Sequence, residues 1–193
     1  MQRVTKGAFY RTDELEAVVA RMARQAQRLV EDPSGLVVVG ILRRGAPLAD
    51  RLCAHLRALW RVERIARLDL DIKRYADDLT LLFPETRLRE SASGEQADVA
   101  GRTVLLVDDV LYHGHSMLRA VEWLAKRRPA AIRTAVLVDR ACATLPIRAD
   151  VAGITLEVAP LQIVDAHVPP YEPEFELHIL RREAGDVQGP DVQ

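Results

Sequence analysis

The chain predicts an α/β fold: a mostly parallel central sheet with helices on its faces. Three observations predict it. Short apolar runs alternate with amphipathic segments of helical period along most of the length. Two of those runs, Leu36 to Ile41 (L-V-V-V-G-I) and Val104 to Val107 (V-L-L-V), are apolar nearly throughout, as strands covered on both faces are. The 193 residues are 49% hydrophobic, enough to bury one sizeable core within one domain.

Each element has its own signal. Thr12 or Asp13 can cap a helix running to about Glu31, because Leu15, Val18, Val19, Met22, Ala26 and Leu29 recur at helical spacing. Asp32-Pro33-Ser34-Gly35 breaks it, and the first strand follows. After Arg43-Arg44-Gly45, Ala46 to Leu59 reads as a second helix with Leu48, Leu52, Leu56 and Leu59 on one side. Ile65 to Ile72 reads as a second strand. Residues 73–100 show no regular period and predict a long flexible loop over about 76–100, of the kind that closes over a site. Beyond the Val104 strand, Met117 to Arg128 predicts a helix stopped by Pro129, and Ile132 to Val138 a further strand ending in Asp139-Arg140. Ile154 to Val158, Gln162 to Ala166 and Phe175 to Leu180 complete the strands. Residues 1–182 are expected to form a single domain, and 183–193 a disordered polar tail.

Bulk properties narrow the function. With 27 basic and 28 acidic residues the net charge is −1, which does not point to a dedicated nucleic-acid binder. No apolar run reaches transmembrane length, and the N-terminal residues lack a signal peptide's apolar stretch, so a cytoplasmic location is expected. Cys53 and Cys142 have neither metal-ligand nor disulfide-framework spacing and read as packing residues.

The richest segment is Val104 to Ser116, V-L-L-V-D-D-V-L-Y-H-G-H-S. It sets Asp108 and Asp109 at the carboxyl end of a buried strand and follows them with a glycine-containing turn that opens a helix. Carboxylates can hold sugar hydroxyls or Mg²⁺. A helix N-terminus entered through such a turn can hold a phosphate. Side by side, the two fit a phosphorylated ribose. In doubly covered parallel sheets, ligands sit beyond the carboxyl ends of strands near the reversal of strand order. Arg43-Arg44-Gly45, Asp108-Asp109 and Asp139-Arg140 all fall at such ends.

This segment resembles the 5-phosphoribosyl-1-pyrophosphate (PRPP) signature of type I phosphoribosyltransferases, and most closely that of the PyrR group, bifunctional pyrimidine-operon regulators with uracil phosphoribosyltransferase activity. Gly40 to Leu52 resembles the group's G-I-x-x-R-G-x-x-L-A-x-R-L. Asp69 to Leu79 resembles D-I-x-x-Y-x-D-D-L. Ala135 to Arg140 and Leu145 to Asp150 resemble V-L-V-D-R and L-P-I-R-A-D. The resemblance spans roughly residues 12–153. It implies the type I phosphoribosyltransferase fold with a small hood, and a reaction in which PRPP and uracil give UMP and pyrophosphate with Mg²⁺. By the same resemblance Asp108 and Asp109 are the catalytic acids, meeting the ribose directly or beside the metal. Val110, Leu111, Tyr112, His113, Gly114, His115 and Ser116 bind the 5′-phosphate side of PRPP, and Arg43 and Arg44 its pyrophosphate. Lys73, Arg74 and Tyr75 belong to a closing loop, Asp139 and Arg140 lie near the base, and a homodimer is expected.

Each assignment has a plainer alternative. The acids fit a helix-capping pair, Arg43-Arg44 solvated surface charge, Tyr75 packing, and Asp139-Arg140 an ion pair at a strand end. His55 and His178 read as surface or packing residues. The sequence also departs from the group. Its T-G-R-T turn is here His113-Gly114-His115-Ser116, so a hydroxyl and an arginine are replaced by imidazoles, which in protonated form still add charge beside a phosphate. The arginine of Y-R-D-D-L is Ala76. Residues 153–180 contain no Lys or Arg where the group carries lysines, which disfavours RNA as a partner. Arg21, Arg24 and Arg28 on the first helix keep a weak basic face that also fits ordinary solvation. Two other functions therefore stay open: a PRPP- or nucleotide-sensing regulator with little or no catalysis, acting through RNA or protein, and transfer to another base.

Overall fold

The computed structural model describes residues 8–72, 98–159 and 162–181, together with the backbone of 87–90. Its core is a six-stranded sheet in the order β3-β2-β1-β4-β5-β6. The strands are β1 (Leu36–Ile41), β2 (Ala66–Asp71), β3 (Arg87–Glu90), β4 (Thr103–Leu111), β5 (Ala131–Asp139) and β6 (Val151–Thr155). All neighbours are parallel except β3, which closes the edge antiparallel to β2. β3 lies inside the stretch expected to be one long loop. Four residues are too short a run to stand out from their surroundings, and only pairing with β2 (Asp69 opposite Arg89) defines them.

The chain first steps from β1 outward to β2 and then returns across β1 to β4. Strand order therefore reverses between β1 and β4, and a crevice opens beyond their carboxyl ends. Alternation along the strands splits the core in two. Leu36 and Val38 of β1, with Leu105 and Val107 of β4, face α1 (Thr12–Gln27) and α2 (Gly45–Trp60). Val37, Val39 and Ile41, with Val104 and Leu106, face α3 (His115–Ala125) through Met117, Ala120 and Leu124. This double covering is why both central strands are apolar at nearly every position. Each large aliphatic side chain buried there contributes about 1.5–3 kcal/mol of transfer free energy.

Several boundaries differ from the sequence reading. α1 is entered at Arg11, whose N–H donates to the Glu14 carboxylate at 3.0 Å, and it ends at Gln27. The Arg28 and Leu29 amides then reach back only three residues, to Gln25 and Ala26, which tightens and stops the helix. α3 starts at His115 rather than Met117, directly after Gly114, and ends at Ala125 rather than Arg128. β6 runs Val151–Thr155, earlier than expected. Gly153 disguises it as a break, but this glycine is a close approach: an added Cβ would meet the Leu137 carbonyl oxygen, Val18 and Met22 at 2.7–2.8 Å. Arg21 of α1 donates to the Gly153 carbonyl, while Arg21, Arg24 and Arg28 all remain exposed on that face.

A second sheet, β7 (Gln162–His167) antiparallel to β8 (Glu176–Arg181), forms the hood, and Tyr10 near the N-terminus bridges to Leu177. Val164, Ala166, Val168, Phe175 and Leu177 pack into the core layer shared with α1 and α2. No helix among the described residues is long and apolar enough to cross a membrane. Cys53 is buried as expected, whereas Cys142 is exposed, because its alanine neighbours lie on a loop beyond β5 rather than in the core.

Candidate active site

The site grows from a mismatch in register. β4 is paired to β1 only as far as Val107, opposite Gly40, but to β5 as far as Leu111, opposite Asp139. Asp108 and Asp109 therefore sit within the last turn-free stretch of β4, supported on the β5 side and beyond the end of the β1 register. The β1–α2 loop fills the space. Gly45 packs so tightly there that a Cβ would lie 2.6 Å from the Val107 carbonyl oxygen and 3.1 Å from Asp108 Cα. Only glycine allows this approach, and it carries Arg43 and Arg44 to the rim of the acid pair. The Leu42–Arg43 peptide is cis.

A buried arginine fixes that loop from behind. Arg67 of β2 donates Nη2 to the Ala46 carbonyl at 2.7 Å, pairs with Asp69 at 2.7 Å, and donates Nε to Asp50 at 2.9 Å. It also bonds the Leu68 carbonyl. Arg67 thus ties β2 to the first turn of α2. Sequence reasoning did not single it out. The signal was there: Arg67 and Asp69 alternate on one face of a strand expected to be covered on both.

The acids differ in setting. Asp108 accepts from the Asp109 N–H at 3.0 Å. Burial of the Asp109 carboxyl raises its pKa above the ordinary aspartate value, against the opposing attraction of the Arg44 guanidinium and a bond from Asp108. The charge on Asp109 is therefore held at a cost, and a cationic or hydrogen-bonding ligand would relieve it.

After the acids, Val110 packs against the first core layer and Leu111 lies in the second. The Leu111 side chain is buried, and that of Val110 is half-buried. Tyr112 is capped by the Arg140 guanidinium, 4.0 Å above its ring, and its ring centroid lies 3.6 Å from that of His113. The turn itself is Gly114, at φ 91, directly before α3. The first bond of that helix runs from Leu118 N–H to the Gly114 carbonyl at 2.9 Å, so the amides of His115, Ser116 and Met117 are not consumed by the helix. Leu145 and Ile147 back the turn, the nearer carbon 3.4 Å from where a Gly114 Cβ would stand. His115 is exposed, and His113 Nδ1 is buried without a partner among the described residues.

Asp139 and Arg140 do not behave as a unit. Asp139 caps its own turn, accepting from Ala141 N–H at 2.8 Å. Arg140 is buried, donates to the Gln162 carbonyl of the hood at 2.9 Å, and covers Tyr112. It joins the segment before the Gly114 turn to the hood. Arg43 is exposed and lies over the Tyr171 ring at 5.6 Å. Arg44 is engaged by hood carboxylates that the sequence reading did not consider. Its Nε and Nη2 donate to Glu172 at 3.0 and 2.6 Å, and its Nη1 to Asp165 at 3.1 Å. Burial lowers the Arg44 pKa, but the Glu172 bond and the charges of Asp109, Asp165 and Glu172 more than offset this and raise it. His178 packs against His167 with centroids 4.4 Å apart, in line with its packing role, and bonds Glu176 at 3.0 Å. Lys73, Arg74 and Tyr75, with Ala76, lie outside the described residues.

The chain is similar in sequence and in fold to known proteins. Residues 7–172 match the phosphoribosyl transferase domain family. The chain is 37% identical over 175 residues to the bifunctional protein PyrR of Chloroflexus aurantiacus, covering 90% of this chain and 94% of that one. It is 38% identical over 160 residues to the PyrR of Deinococcus radiodurans, covering 82% and 86%. Among solved structures it is similar in fold to the hypoxanthine phosphoribosyltransferase of Trypanosoma cruzi, with a TM-score of 0.67, 18% identity, and 93% and 98% of the chains covered. A hypoxanthine-guanine phosphoribosyltransferase of Bacillus anthracis gives a TM-score of 0.67 at 14% identity, covering 90% and 97%.

Proposed function

The chain belongs to the phosphoribosyl transferase domain family, within its PyrR group, and from that premise we propose that it transfers the phosphoribosyl group of PRPP to uracil, releasing pyrophosphate and forming UMP. In this reaction uracil N1 bonds to the ribose C1, the C1–O bond to pyrophosphate breaks, and N1 gives up its proton. Positive charge grows on the ribose ring and negative charge on the departing diphosphate. Catalysis is then chiefly positioning and charge stabilisation.

Asp108 and Asp109 orient the ribose hydroxyls and face the developing positive charge. The amides of the turn from Tyr112 to Ser116, with the Ser116 hydroxyl, hold the 5′-phosphate. Arg43 and Arg44 meet the diphosphate, whose geometry suits guanidinium donors. Asp139 and Arg140 flank the base side. Lys73, Arg74 and Tyr75 are assigned to closure by resemblance alone, as is a homo-oligomeric state, and a cytoplasmic site of action is proposed with them.

The donor set suits Mg²⁺ that arrives with its substrate. Among the described residues no group of three or more His, Cys, Asp or Glu side chains could cage a metal. The acid pair nonetheless supplies hard oxygen donors beside the diphosphate position, and Mg²⁺ commonly keeps waters and binds substrate phosphates alongside one or two carboxylates. When bound, the ion would neutralise diphosphate charge.

The observation that carries this reading is the meeting of the Gly45 loop, the acid pair and the Gly114 turn at one reversal of strand order. Pyrophosphate release from PRPP and Mg²⁺, measured with uracil, guanine, hypoxanthine and orotate, tests it; uracil is the expected acceptor. A second reading, a PRPP- or nucleotide-sensing regulator with weak catalysis, is favoured by the imidazoles at 113 and 115 and by Ala76. Silence with every base, together with retained PRPP binding, would select it.

A further inference from the structure

The hood does more than cover the core. The turn after β7 grips both arginines of the β1–α2 loop. Tyr171 lies 5.6 Å from the Arg43 guanidinium, and Glu172 and Asp165 take three donors of Arg44. Glu172 is itself held in place: its second oxygen accepts from the Val168 N–H at 2.8 Å. Asp165 is steadied by His167, whose Nε2 lies 3.3 Å from its other oxygen. These ion pairs are not loose surface contacts. The side chains of Asp165 and Glu172 are only 14% and 18% exposed, and that of Arg44 is 32% exposed. On its inner side the same guanidinium is attracted to Asp109.

Arg44 thus stands between the catalytic acid and two hood carboxylates, with each of its three nitrogens already engaged by the hood. A diphosphate would draw on the same donors. We propose that Glu172 and Asp165 are positioning residues that form an acidic latch: in the free protein they hold Arg44 for the hood, and an incoming diphosphate competes with them for its guanidinium. The inference rests on the reading of Arg44 as a diphosphate contact. Its consequence is a coupling across the site. When diphosphate draws Arg44 inward, the hood turn loses its main polar tie to the β1–α2 loop and becomes free to readjust over the base side. When diphosphate departs, the latch re-forms and favours its release.

The test is a double-mutant cycle on the full-length chain, with binding of Mg²⁺-PRPP and of Mg²⁺-pyrophosphate measured by calorimetry. Glu172→Gln keeps an oxygen for the Val168 N–H and removes the charge that competes for Arg44. It should tighten both ligands about tenfold, the scale of one charge-assisted hydrogen bond removed from the free state. The KM for PRPP should fall while kcat does not rise. In an Arg44→Ala background the same change should have no effect. If Arg44→Ala weakens binding but Glu172→Gln leaves it unchanged or weaker, the latch is wrong and the diphosphate role of Arg44 stands. If Arg44→Ala leaves binding unchanged, the underlying reading of Arg44 fails and the latch fails with it. Should Glu172→Gln melt out, Asp165→Asn, which leaves the Glu172–Val168 bond intact, carries the same comparison.

Discussion

Gly45→Ala is the sharpest test of how this site is built. The added Cβ would stand 2.6 Å from the Val107 carbonyl oxygen, 3.1 Å from Asp108 Cα and 3.2 Å from Asp108 Oδ1. Two of those three atoms are backbone of β4, which β5 holds in register through Leu111. The strand cannot yield, so the β1–α2 loop must. Restoring an ordinary contact of about 3.4 Å from 2.6 Å requires a displacement of about 0.8 Å, and Arg67, fastened to the Ala46 carbonyl, resists it. Overpacking of this kind costs about 1–3 kcal/mol. For a chain of 193 residues each kcal/mol lowers Tm by about 2–4 °C. The larger effect is on chemistry, because a misplacement near 1 Å costs on the order of 10²-fold in rate. Pyrophosphate release should therefore fall about 10²-fold while the variant remains folded by circular dichroism. Gly101→Ala is the control. Gly101 has φ 68, and a Cβ added there would meet nothing within 4 Å, so the variant should lose about 1 kcal/mol of stability and no activity. Unchanged kcat/KM in Gly45→Ala would mean that close apposition of the loop and the acid pair is not what organises the site.

Three further outcomes follow from the same geometry. Asp109→Asn should abolish most activity yet stabilise the fold near neutral pH. Burial raises the Asp109 pKa in the folded state, so its favourable contribution is complete below the unfolded value of 3.8 and is lost as pH rises through the folded value. Denaturant melts should show the stability gap in favour of the asparagine variant widening from acid toward neutral pH, and a gap that shrinks would contradict the assignment. Arg67→Met removes a buried guanidinium that pairs with Asp69 and Asp50 and satisfies the Ala46 and Leu68 carbonyls, and should cost about 3–5 kcal/mol in chemical denaturation; a loss under about 1 kcal/mol would show that the network does not brace the loop. Replacing His115 by the arginine found in related turns should tighten PRPP about tenfold through a permanent charged donor, and no change in a calorimetric titration would place the 5′-phosphate elsewhere.

Much of this was legible in the sequence, for local reasons. Continuous apolar runs marked β1 and β4 because both faces of the sheet are covered. The acids, the glycine turn and the arginine pair each lie within a few residues of a strand end, so their neighbourhood followed from chain order and the rule for parallel sheets. What escaped was non-local or disguised. β6 was misplaced because Gly153 reads as a break, when its missing side chain makes room for Val18 and Met22 of α1. Arg67 was passed over because its partners, Asp50 and the Ala46 carbonyl, lie on another element. The hold of Glu172 and Asp165 on Arg44 depends on the pairing of β7 with β8 and on the seating of the hood. No periodicity encodes residues 121 and 128 positions apart coming within 3.1 Å.

The central claim is that a carboxylate pair and a glycine-turn amide cluster together bind a phosphorylated ribose. A crystal structure of the full chain soaked with PRPP and Mg²⁺ measures this directly. The account predicts ribose hydroxyls within hydrogen-bond distance of Asp108 and Asp109, and a 5′-phosphate against the backbone amides between Tyr112 and Ser116. A ligand seated with its phosphate away from that turn, or its ribose out of reach of both acids, would contradict it.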